Sequence, residues 1–308
     1  MSRPLVVLLL ALICTFLWGS AFPALKISYV ELGITQDTYG QMLFAGARFF
    51  LAGMMILALL ALNGKKISFP SIQLKEIVAL AIFSTSLQYF FFYIGLANTT
   101  GVKGSILMST SSFFAVGLSA LLYREDSLNS QKMAGLLLGF LGVAALNLSK
   151  GSLELGFSLQ GDLFLIFSCL ANAIASVLIK GFPSHLNIVL ITGWQMIIGS
   201  LFLIFLGVFK VSLEQIHFSW FALGILFYLG FLSAAAFSLW NILLKYNNIS
   251  RITIFNFLVP IFGSLLSVFI VPGEKIGVYS LLGLALVSLG ILVMNYQGKI
   301  RSCLKEDI

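Results

Sequence analysis

Charges and turn residues divide the chain into ten apolar stretches of about the length that spans a bilayer. They run over 5–27, 40–62, 74–97, 102–122, 131–148, 160–180, 187–208, 218–245, 250–271 and 277–297. A helix needs about 20 apolar residues to cross the hydrocarbon core. The narrowest separation is between the third and fourth stretches, where only Asn98 to Lys103 intervene. Of 308 residues, 59% are hydrophobic and 9% charged, whereas soluble domains carry about 25% charged residues. A fold facing water could not cover that much apolar surface, so lipid is the solvent. Hydrocarbon offers no partners to backbone polar groups, which leaves helices or a closed barrel. Barrel strands alternate apolar with polar residues, and runs such as Phe90-Phe91-Phe92 and Leu136-Leu137-Leu138 do not. The expected fold is therefore an all-α membrane protein with ten transmembrane helices.

The net charge of +7 is scattered through short connections rather than gathered on one face. Membrane topology accounts for it, and no nucleic-acid partner is expected. With the N-terminus inside, the cytoplasmic segments hold Arg3, Lys65, Lys66, Lys75, Arg124, Lys132, Lys180, Lys245, Arg251, Lys299, Arg301 and Lys305. The outer connections hold only Lys26, Lys103, Lys150, Lys210 and Lys275, and Arg48 lies inside the second stretch. This bias puts both termini in the cytoplasm of a cell (inner) membrane. The N-terminal apolar run reads as the first helix rather than a cleaved signal, because it is long enough to span. Cys14, Cys169 and Cys303 are too few and too scattered for a disulfide framework.

The two halves of the chain correspond. Lys26 closes the first stretch and Lys180 the sixth. Ser112-Phe113-Phe114 answers to Pro260-Ile261-Phe262 at an offset of 148 residues, and Gly135 and Gly142 answer to Gly283 and Gly290 at the same offset. Glu125 and Glu274 follow the fourth and ninth stretches. Five helices per half is an odd number, so the second half enters the membrane from the opposite side. Residues 1–150 and 155–298 thus read as two inverted five-helix repeats, followed by a short basic cytoplasmic tail at 299–308. Inverted repeats recur in transporters, where two halves rock about one central site. The expectation is a secondary transporter of small metabolites working by alternating access, with no cofactor. Its partners are the lipid bilayer and a small-molecule substrate, with homo-oligomerisation left open. The alternatives are an intramembrane enzyme, which would need a clustered nucleophile, base or metal set, and a channel, which would need polar stripes or charged rings.

Leu17-Trp18-Gly19-Ser20-Ala21-Phe22, Ala47-Arg48-Phe49, Ser112 to Glu125 and Pro260 to Glu274 resemble the signatures of the drug/metabolite transporter superfamily, EamA type. Ser112 stands where that family usually has proline, and Arg124 where it has the glycine before the glutamate. The second copy counts one residue more between its signature ends, with Pro272 in that stretch. The resemblance implies ten helices and export of amino acids or related metabolites. It also implies a cavity lined by the first, third, fourth, sixth, eighth and ninth helices.

Polar groups deep in a bilayer are costly, which marks them as candidates. Gln88, Asn172, Asn241 and Asn256 carry amides that their own helix cannot easily satisfy. Ser109 and Ser176 are weaker candidates, because hydroxyls bond back to their own helix. Trp18, Tyr89, Tyr93 and Trp240 can wall a cavity or hold an amine by cation–π contact. Pro23 and Pro260 lack an N–H and so free the carbonyls of Gly19 and Asn256, as a hinge or as a static kink. Arg48 is read chiefly as structural, snorkelling or pairing at the helix end, with a substrate carboxylate as the other reading. Lys26 and Lys180 are gate-side or anchoring charges. Glu125 and Glu274 are placed at the interface, ordering the next helix. No carboxylate or histidine lies near the middle of a stretch, so no proton relay is read.

Overall fold

The computed structural model describes residues 4–69, 74–99, 101–148, 158–211, 219–270 and 278–295. Its helices are α1 (Pro4–Glu31), α2 (Thr38–Leu62), α3 (Leu74–Ala97), α4 (Gly101–Ser109 and Ser111–Leu122), α5 (Ser130–Leu148), α6 (Leu159–Gly181), α7 (Ile188–Lys210), α8 (Trp220–Tyr246), α9 (Ile249–Ile270) and α10 (Val278–Asn295). Among the described residues there is no strand. Among the described residues, eight of the helices are long and apolar enough to cross a membrane; in α5 and α10 the apolar runs Ser130–Leu146 and Leu281–Asn295 are shorter. The protein is a multi-pass, all-helical membrane protein.

Helix starts follow from side chains that satisfy the first free N–H groups. Asp37 accepts from the Tyr39 N–H before α2, and Asn187 accepts from Val189 and Leu190 before α7. Ser158 and Ser219 do the same for Gly161 and Ala222 before α6 and α8. Three helices leave regular geometry. α3 passes through a π-helical segment at Ala81–Leu87, α4 breaks at Thr110, and α9 tightens into a 3-10 turn at Ile254–Phe257.

Lipid tails are as apolar as leucine, so helices associate through close packing rather than exclusion from water. One close seam joins α5 to α10. A Cβ on Gly135 would sit 2.9 Å from the Gly290 carbonyl oxygen, and one on Gly290 would sit 2.7 Å from that of Gly135. Gly142 and Gly283 repeat the relation at 2.8 and 2.7 Å. Rising positions on one helix meet falling positions on the other, so the two run antiparallel. The four glycines related by the 148-residue offset therefore pack together in crossed order, Gly135 on Gly290 and Gly142 on Gly283.

The wider packing has the same reciprocity. α1 lies against α8 and α9, while α6 lies against α3 and α4. α2 and α7 pack on each other, α2 also meeting α8 and α7 also meeting α3. Trp18, midway along α1, touches all three apolar clusters of the interior.

Replacing Gly290 with leucine drives a side chain into the α5 backbone. Overpacking costs about 1–3 kcal/mol, and a clash with backbone falls at the upper end. Thermal unfolding in detergent is expected to drop clearly for Gly290→Leu. Gly224→Leu serves as the control, since nothing lies within 4 Å of its Cβ position, and its midpoint should hold.

Candidate functional site

At the centre, aromatic rings from four helices form a chain. Trp18 of α1 meets Trp240 and Phe237 of α8 edge-on, with centroids 5.0 and 5.3 Å apart. Phe237 meets Phe49 of α2 at 6.0 Å, and Phe49 meets Tyr89 of α3 at 4.4 Å. One helical turn on, Tyr93 lies with its hydroxyl 3.2 Å from that of Tyr29 in α1. Trp18 and Tyr29 are eleven residues apart, close to three full turns, so they share a face of α1.

Arg48 sits against this chain with 4% of its surface exposed. Its Cζ lies 4.8 Å from the Phe49 ring centroid, and its Nε donates to Ser233 Oγ of α8 at 2.7 Å. Ser233 in turn donates its proton to the Leu229 carbonyl, which leaves a lone pair for the guanidinium. The side chain therefore does not snorkel to the helix end; it turns into the bundle. A charge at bilayer depth costs about 2.5–3.5 kcal/mol on insertion scales. Among the described residues no carboxylate pairs with it.

A second polar group joins α3, α4 and α6. Asn172 Nδ2 donates to Gln88 Oε1 at 3.1 Å, and Ser111 Oγ donates to Asn172 Oδ1 at 2.9 Å. Ser168 Oγ donates to the Gln88 carbonyl at 2.8 Å, just where the π segment of α3 ends. Gln88 and Asn172 are thus brought together across 84 residues of sequence. Asn241 is drawn elsewhere, donating to Thr192 of α7 at 2.9 Å with 2% exposure. Ser109 and Ser176 bond back to the carbonyls of Ser105 and Asn172 in their own helices. Asn256 is half-buried in the 3-10 turn before Pro260. Its carbonyl is not left free, because the Leu258 N–H is shared between the carbonyls of Asn256 and Phe255. Pro23 is buried within α1. Two clefts of about 340 and 370 Å³ open near Leu186 and Phe182, at the end of the bundle away from Arg48, and neither is lined by these residues.

Of the charged candidates, Lys26 is exposed and Lys180 half-buried. Glu274 and the Glu125 side chain lie outside the described residues. Beside Glu125, however, Asp126 is 1% exposed. It accepts from Ser119 at 2.6 Å, from Lys132 at 2.7 Å, from the Ser250 N–H at 3.0 Å and from the Ser250 hydroxyl. This carboxylate ties the α4–α5 turn to the first turn of α9. Burial pushes the Asp126 carboxyl up, but the bonds from Lys132, Ser119 and Ser250 outweigh it and hold the group below its ordinary value. Asp126 and Glu274 are themselves 148 residues apart. The offset singles out Asp126 rather than Glu125 as the repeat's carboxylate, and with that pairing the second copy has no extra residue. Tyr29 also escapes sequence reasoning: only the face shared with Trp18 marks it.

The profile of the EamA-like transporter family matches the chain twice, over residues 5–148 and 159–296. The chain belongs to the EamA-like transporter family. This EamA-like chain is 28% identical over 288 residues to an uncharacterized transporter of Archaeoglobus fulgidus, covering 93% of its own length and 97% of that relative. It is 27% identical over 310 residues to an uncharacterized transporter of Synechocystis, covering 94% and 90%. A WAT1-related chloroplastic protein of Arabidopsis thaliana is 24% identical over 290 residues, covering 91% of this chain and 67% of that one. A protein solved by crystallography shares the fold, with a TM-score of 0.75 at 18% identity over 95% of this chain and 98% of that one. Membership places the EamA-like chain in the drug/metabolite transporter superfamily, among membrane transporters and not enzymes.

Because the Asp126 pKa is depressed, its stabilisation is present above the unfolded value, about 3.9 for aspartate, and is lost as pH falls through the folded value. Hydrogen bonds to charged groups are each worth about 1.5–3 kcal/mol. Asp126→Asn is expected to lower the detergent unfolding midpoint at pH 7. The gap to the unaltered protein should narrow once the pH is taken below 4.

Proposed function

We propose that the protein is a secondary transporter that exports small polar or amphipathic metabolites from the cytoplasm, amino acids first among them. It works by alternating access between two inverted five-helix repeats, 1–150 and 155–298, with ten spans and both termini in the cytoplasm of the cell membrane. One observation carries this reading: equivalent helices exchange partners. α1 packs on α8 and α9 as α6 packs on α3 and α4, and the α5–α10 glycines seat on each other in reverse order. A pseudo-twofold axis in the membrane plane is the arrangement that produces such reciprocity, and it lets one site face each side in turn.

The site in this reading is the region between the halves where α1, α2, α3, α6 and α8 bring the aromatic chain, Arg48 and the Gln88–Asn172 pair. Gln88 and Asn172 bind the substrate's polar groups, and Trp18, Tyr89, Tyr93 and Trp240 hold its apolar part. The irregular turns at Thr110 and Ile254–Phe257, the latter just before Pro260, supply weak points at which α4 and α9 bend.

Purified protein in liposomes should show saturable counterflow of radiolabelled amino acids, with the substrate recovered chemically intact. Gln88→Ala, folded by gel filtration, should lower the rate at least tenfold. Non-saturable flux would point to a channel, and altered substrate to an enzyme; either result removes this reading.

A further inference from the structure

We propose that Arg48 is the receptor for a carboxylate on the transported molecule, so that the substrate class is small monocarboxylates, amino acids included. This rests on the transport reading above and names the ligand chemistry of the same site.

Arg48 is buried to within 4% of its surface in an apolar bundle, yet it has no carboxylate partner among the described residues. A structural arginine at that depth would be expected to hold a counter-charge. Here only Nε is engaged, by a neutral hydroxyl whose proton is already committed to the Leu229 carbonyl. The Nη nitrogens meet no acceptor among the described residues. Nor are they sealed in, since buried polar side-chain atoms without a partner are there confined to Glu76 Oε2 and Gln195 Nε2. With Nε pinned and the guanidinium lying over Phe49, the outer donors form a rigid fork that suits the two oxygens of a carboxylate.

The surroundings fit a monoanion. Tyr29, Tyr89 and Tyr93 all lie within electrostatic reach of Arg48, and among the described residues no other cation acts on them. A single positive charge among neutral hydroxyls balances one carboxylate, whereas a phosphate dianion would call for a second cation. The low dielectric strengthens the pairing, and the Phe49 and Tyr89 rings supply an apolar wall beside it.

The test uses full-length protein, the L-amino acids leucine, phenylalanine and alanine, their amides, and 4-methylpentanoate, a carboxylate without an amine. Binding is read by thermal shift in detergent and transport by counterflow in liposomes. Acids should stabilise the protein and compete, 4-methylpentanoate included, while amides do neither. Arg48→Gln should raise KM for acids at least tenfold with kcat less affected, and Arg48→Lys, which keeps the charge but loses the fork, should fall between. Should these variants fail to fold, the acid–amide contrast on the unaltered protein still decides. An equal response to acids and amides, including none to either, overturns the carboxylate assignment. Binding of acids without flux overturns the transport reading and leaves the assignment standing.

Discussion

Hydrocarbon neither hydrogen-bonds a backbone nor presses apolar helices together, and the architecture of this protein follows from that double absence. The first absence makes every described element a helix. The second leaves cohesion to close contact, so backbones must approach until side chains would collide. The α5–α10 seam does this with four glycines placed so that each carbonyl oxygen lies within 2.9 Å of where the opposite residue's Cβ would be. At the bundle end carrying the α4–α5 turn, a charged knot adds to the seam: Asp126 gathers Ser119, Lys132 and Ser250 and fastens one half of the chain to the other.

Against this apolar background, the few polar side chains turned inward acquire meaning. Some hold helices together, as Asn241 does with Thr192. Gln88 and Asn172 bond each other across α3 and α6, at the end of a π segment where the α3 backbone is already irregular. Arg48 differs in kind. Its charge has a neutral partner on one nitrogen and an aromatic ring beneath it, which is an arrangement suited to receiving an anion. Its unused donors are what the guanidinium has to offer a substrate.

Much of the fold was legible because a twenty-residue apolar run has one solution in lipid. Each of the ten expected stretches falls on a described helix, eight of them long and apolar enough to span and the runs in α5 and α10 shorter, and the departures have local causes. α1 runs on to Glu31 because Lys26 can keep its charge at the helix surface, and α2 begins at Thr38 because Asp37 caps it. The 148-residue offset was legible too, but taking the first acidic residue after α4 led to Glu125, when the buried partner of Glu274 in the repeat is Asp126. Proline chemistry correctly marked α9 as irregular, yet the freed carbonyl was absorbed by a 3-10 turn. What sequence could not show were contacts between distant helices. Arg48 meets Ser233 from 185 residues away, and no local pattern announces that a hydroxyl rather than a carboxylate awaits it.

The central claim is that the halves lie upside down relative to each other. Thr35, in the α1–α2 connection, and Ser184, in the α6–α7 connection, are both exposed and hold corresponding places in the two halves. Each can carry a single cysteine in a chain whose three native cysteines are replaced. In intact cells a membrane-impermeant maleimide should label position 35 at once, and position 184 only after the membrane is opened. Labelling of both positions from the same side would contradict the account.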